Sequence, residues 1–126
     1  MTENELSYEI IGAAIEVHRE LGGPGLLEDV YEEALCHELS LRGLKVERQL
    51  SVQLEYKGKL LRKRLKLDVI VEDLVIIEVK SVESYNDIYQ AQLLTYLRLT
   101  NKKHGLVINF GERYVKDGVH RVANDI

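Results

Sequence analysis

With 126 residues, of which 45% are hydrophobic, 30% charged and 6% aromatic, the chain has the make-up of one globular domain spanning 1–126 and leaves no room for a second. A chain this long buries about two-thirds of its unfolded surface, enough for a core without staples, and the lone Cys36 excludes an internal disulfide. Seventeen Lys and Arg against 21 Asp and Glu exclude a uniformly basic nucleic-acid coat, no apolar run nears the ~20 residues of a membrane span, and Met1 to Glu5 lack the basic start of a signal peptide, so a cytoplasmic setting is expected.

Leu6, Ile10, Ala13, Ala14, Val17 and Leu21 follow the helical period, and Thr2 with Glu5 forms the pattern of a capping box. Gly22-Gly23-Pro24-Gly25 ends this helix, because proline and glycine cannot continue it. His18, with no second His or Cys at zinc-ligand spacing, reads as a residue of the helix surface or of an interface. A second helix is expected through Leu27, Val30, Tyr31, Ala34, Leu35 and Leu39, with Cys36 a small buried residue on it and Gly43 suited to the left-handed position beyond its end. The period then changes to two. Val46, Leu50, Val52, Leu54 and Tyr56 fall on one face of a first strand, and after a turn at Lys57-Gly58 the residues Leu61, Leu65, Leu67, Val69 and Val71 fall on one face of a second. Leu74-Val75-Ile76-Ile77-Glu78-Val79-Lys80 is apolar on both faces until its end, as in a central strand. Asp87 is placed to cap a third helix through Ile88, Ala91, Leu94, Thr95 and Leu97, and Gly105 to Phe110 reads as a fourth, buried strand. Lys116-Asp117-Gly118 marks a closing hairpin or edge strand. The order α-α-β-β-β-α-β implies an α/β chain of the α+β type, with a mixed central sheet flanked by helices and the fourth strand parallel to a neighbour.

Charged residues inside apolar strands are the unusual feature. Asp68 interrupts Leu67 and Val69, and Glu78 and Lys80 lie two apart, on one face, at the end of the third strand. For Asp68 to join them, the hairpin must set it opposite Glu78, which requires an odd-length loop such as Glu72 to Leu74, or a bulge. Two carboxylates at this spacing make a hard oxygen site suited to Mg²⁺ or Mn²⁺, and an ammonium beside them is able to act on water or phosphate. An Asp–Lys or Glu–Lys structural ion pair accounts for the same pattern without chemistry.

Asp68 followed by Glu78-Val79-Lys80 on the next strand resembles the signature of the PD-(D/E)XK nuclease superfamily, and the element order resembles its restriction-endonuclease-like core. Gly25-Leu26-Leu27-Glu28-Asp29-Val30-Tyr31 is similar to the motif of a small branch, the GxxExxY proteins, and similar segments run from His18 to Gly118, including Gln92-Leu93-Leu94-Thr95-Tyr96-Leu97 and Asn109-Phe110-Gly111. Leu67 stands where the superfamily's name has proline. The resemblance implies hydrolysis of nucleic-acid phosphodiesters, DNA foremost, with Mg²⁺ or Mn²⁺ as cofactor. It implies metal ligation by Asp68 and Glu78, with Glu28 completing the shell, and assistance to water by Lys80. Gln92 is implied to contact the active site or the nucleic-acid backbone.

Other readings of these residues stay open. Glu28, in the first turn of its helix, gains about 0.3–1 kcal/mol from the helix dipole with no further role. Tyr31 is expected as a core aromatic whose hydroxyl steadies Glu28, and Tyr96, four residues after Gln92, fits a site wall or a packed flank. Six of the ten residues from Lys57 to Lys66 are basic, and Arg62, Arg64 and Lys66 are expected to share the strand face of Asp68, where they would hold phosphates; charges on a strand edge also guard against aggregation. There is no aromatic ladder for stacking bases. The rival to a nuclease is a non-catalytic module that binds nucleic acid or protein, and the lack of a recognition appendage leaves a homodimer or a protein partner open.

Overall fold

The computed structural model describes residues 1–126. The chain folds in the order α1 (Glu3–Glu20), α2 (Glu28–Leu41), β1 (Val46–Tyr56), β2 (Lys59–Val71), β3 (Val75–Lys80), α3 (Ile88–Thr100), β4 (His104–Asn109), a 3₁₀ turn (Val115–Gly118) and β5 (Val119–Ala123). The five strands form one sheet in sequence order, antiparallel except for β3 beside β4, which α3 joins as a crossover. The architecture is thus α+β, with a mixed sheet and helices on both faces. No helix is long and apolar enough to cross a membrane.

Local chemistry sets the helix ends. Thr2 and Glu5 exchange the two capping-box hydrogen bonds at 3.1 Å. Gly43, at φ 80°, lets Gly43 N–H reach Ser40 O and Leu44 N–H reach Leu39 O, a Schellman end for α2. Asp87 makes no side-chain cap for α3; Asn86 Oδ1 accepts the Ile88 N–H at 2.9 Å instead, because Asp87 itself already has helical dihedrals.

Two cores sandwich the sheet. Leu6, Ile10, Val17, Tyr31, Leu35 and Leu39 of α1 and α2 pack on Val69, Val71, Val75, Ile77 and Val79, whereas Leu93 and Leu97 of α3 pack on Ile70, Ile76 and Val107. Leu27 and Val30 do not join the first core. They lie at 73% and 42% exposure, because the buried stripe of α2 runs through Tyr31, Glu32, Leu35 and Leu39. His18 is buried, with Nε2 3.1 Å from Phe110 O and its ring close to Tyr31 and Phe110, so it serves the core and not the helix surface. Cys36 is half-buried, and burial pushes its thiol up to about 11.

The single apolar face expected along β1 and β2 is divided. Val46 and Val71 pack on the α1–α2 side, but Leu50, Val52, Leu65 and Leu67 pack on the α3 side. The change falls where Gln49 takes φ 53° and where β2 parts from β3, beyond Val69 paired with Ile77. From there outward β2 pairs with β1 alone, and a two-stranded ribbon twists more strongly than a full sheet.

Candidate active site

The β2–β3 hairpin pairs Val71 with Val75, so its loop is the three residues Glu72 to Leu74. Glu72 and Asp73 take φ 53° and 55° to close it. The register Val69 to Ile77, continued one step, sets Asp68 opposite Glu78, as the parity of an odd loop requires. Ladder pairing stops there, and the side chain of Asp68 takes over: Oδ2 accepts the Val79 N–H at 3.0 Å. Asp68 therefore stands in the seam between the two strands. Glu78 follows Ile76 on the α3 face and is 5% exposed.

Glu78 is the most perturbed acid of the site. Burial, then the adjacent carboxylate of Asp68, push it up to about 9, and the charge of Lys80 opposes this only in part. Its Oε1 is buried and has no hydrogen-bond partner. A buried carboxylate oxygen without a donor is costly in a folded chain unless another group satisfies it. Lys80 does not do so: its ammonium is in none of the chain's ion pairs and lies 4.7 Å from the centre of the Tyr89 ring. Tyr96 borders the pair from α3. Burial, then the charges of Glu78 and Asp68, raise its pKa, and Gln92 beside it opposes the rise. Gln92 itself is exposed and makes no hydrogen bond to Asp68, Glu78 or Lys80.

On the other side of the sheet, Asp68 lines a cavity of about 130 Å³ with Glu28, Asp29, Glu32, Gln49 and Val79. Glu28 is exposed on its rim at the first position of α2. Ser81, directly after Lys80, donates to Leu26 O at 2.6 Å and ties the start of α2 to the end of β3. Tyr31 does not steady Glu28. Its hydroxyl donates to Gly23 O at 2.6 Å and accepts the Leu26 N–H at 3.2 Å, bracing the glycine-rich turn, while its ring stacks on Phe110 with centres 4.6 Å apart. Glu28, Asp68 and Glu78 are not gathered as one cage; no three His, Cys, Asp or Glu side chains of the chain are.

Three residues that brace the site have roles the sequence alone did not reveal. Glu32 is 5% exposed and ties α2 to β1, accepting from Arg48 Nε at 2.8 Å and from Gln49 Nε2 at 2.7 Å. Glu32 lies four residues after Glu28, and that spacing was the one signal pointing to it. Asn109, fully buried, is a second brace: Oδ1 accepts from Val82 and Gly111, and Nδ2 donates to Val82 O. Gly111 is required beside it, since a Cβ there would meet Val82 O at 2.2 Å.

The basic stretch lies on the projecting ribbon. Arg64 and Lys66 alternate with the α3-side residues Leu65 and Leu67, so they occupy the α2 side, toward which the acidic cavity opens. The face of Arg62 does not follow from that alternation. Between the pairs Gln53 to Arg64 and Glu55 to Leu60 the register shifts, and Arg62 sits within that irregularity.

A mixed five-stranded sheet with helices on both faces is the α+β architecture of a nuclease-like fold. The family model of the PD-(D/E)XK nuclease superfamily matches residues 4–122, and the chain belongs to that superfamily. No curated protein and no solved structure matches it.

Proposed function

We propose that this chain belongs to the GxxExxY branch and is a metal-dependent nuclease that hydrolyses phosphodiesters of nucleic acid, DNA foremost. The observation that carries the reading is the buried, unpartnered Oε1 of Glu78 beside the carboxylate of Asp68. These are hard oxygen donors, and they fit Mg²⁺ or Mn²⁺ held by two carboxylates and water, with Glu28 reaching the shell directly or through a water. A cation bound there would supply Lewis acidity to a phosphoryl oxygen and a lowered pKa to bound water. Asp68 is fixed for this by the Val79 N–H, and Glu78 by burial. Lys80, unpaired with either acid, offers N–H donors to the attacking water or to a phosphate oxygen. Arg64 and Lys66, with Arg62 nearer the tip, draw the backbone toward the site. Gln92 and Tyr96 form its α3 wall.

The rival reading, a binding module that retains the fold, draws on the absence of a ready three-acid cage. Cleavage assays separate the two. Single-stranded, double-stranded and branched DNA and RNA are incubated with Mg²⁺ or Mn²⁺ and with wild-type protein or Lys80→Ala. Cleavage by wild type, lost in Lys80→Ala while Mn²⁺ affinity is kept, is the expected result. Metal binding without cleavage of any substrate supports the rival.

A further inference from the structure

We propose that Tyr89 is a positioning residue for Lys80, holding its ammonium off the carboxylate pair so that both the cation site and the lysine stay free to act. The proposal rests on the nuclease reading of Lys80. The buried Glu78 lies within electrostatic reach of this lysine, yet Lys80 makes no ion pair; its Nζ sits 4.7 Å from the Tyr89 ring centre. A flexible lysine beside a buried carboxylate is drawn toward it, and an ion pair there would occupy an oxygen a cation needs. The negative face of an aromatic ring attracts the ammonium without consuming a carboxylate.

The ring is itself held. Tyr85, in the connection after β3, meets Tyr89 edge-on, with centres 5.4 Å apart and planes at 71°. Tyr85 stacks on His120 of β5 at 3.9 Å and 11°, and its hydroxyl donates to Gln90 Oε1 at 3.1 Å. Lys80 is thus referred to three separate parts of the fold: its own connection, α3 and the edge strand. Tyr89 and Tyr85 are also half-buried against the α3-side core, which restricts their rings further.

The cation–ring pairing has a signature that needs no substrate. Protons above an aromatic ring are shifted upfield, so in ¹³C-lysine-labelled wild-type protein the Lys80 Hε signals, assigned by their disappearance in Lys80→Arg, are expected upfield of the other lysines. Tyr89→Phe keeps the ring face and the shift; Tyr89→Leu returns the signals to the common position. In cleavage with Mg²⁺, Tyr89→Leu is expected to lower kcat roughly 2- to 30-fold with KM little changed, and Tyr89→Phe to restore it. An unshifted Lys80 signal in wild type overturns the clamp whether or not the protein cleaves. Equal loss of kcat in Tyr89→Phe and Tyr89→Leu overturns it too, because the hydroxyl would then be the active part. A shifted signal in a protein that cleaves nothing overturns the nuclease reading and, with it, the role given to Tyr89.

Discussion

At the scale of the residue, Glu78 ties stability to the proposed metal site. Its folded pKa, about 9, lies above the ordinary 4.5, so between these values the metal-free folded chain holds a proton that the unfolded chain has released. Stability from this group is therefore complete below about pH 4.5 and declines as pH rises toward about 9. Glu78→Gln, neutral at every pH, is expected to remove that decline and to melt above wild type at pH 8 by about 4 °C or more; thermal melts of both proteins across pH in chelator check it. Equal slopes would contradict the assignment. That Asp68 and Glu78 face each other was legible in the sequence, because loop parity settles which strand residues meet. The buried role of His18 was not legible, since its hydrogen bond runs to Phe110, 92 positions away in the chain.

At the scale of the element, the turn before α2 and the β1–β2 ribbon carry the site's supports. Tyr31→Phe keeps the stack on Phe110 but removes the hydroxyl from Gly23 O and Leu26 N–H. It is expected to cost about 1–3 kcal/mol in urea unfolding. If instead the hydroxyl's role were to steady Glu28, Mn²⁺ affinity would fall with little change in stability. On the ribbon, replacing Arg62, Arg64 and Lys66 with Ala is expected to flatten the salt dependence of nucleic-acid binding by roughly 0.7–0.9 in log slope for each phosphate no longer neutralised. An unchanged slope would leave these residues as edge protection only. Element existence could be read from periodicity, but the faces of β1 and β2 could not. Strict alternation carries Leu67 and Val69 to one side, whereas the twist at Gln49 and Asp68 sends them to opposite cores. Leu27 and Val30 misled for a related reason: they lie at the start of α2, but off the stripe that the sheet covers.

At the scale of the molecule, the parallel β3–β4 pair and its crossover helix place a polar cluster where β2 leaves the sheet, with α2 on one side and α3 on the other. Sequence order was enough to expect the mixed sheet, while the meeting of Tyr85, Tyr89 and His120 beside Lys80 depends on tertiary packing of segments far apart in the chain. A cation that binds only the folded chain must stabilise the whole of it, by about 2.7 kcal/mol at a hundredfold excess over Kd. Its binding must also displace the proton of Glu78, so apparent affinity is expected to rise with pH toward about 9. The most direct test is titration calorimetry of Mn²⁺ into the full chain and into Asp68→Asn and Glu78→Gln, each checked for its fold. One site in wild type that is abolished or strongly weakened in both variants is the predicted result; an affinity unchanged by either substitution would contradict the assignment of these two acids to the metal.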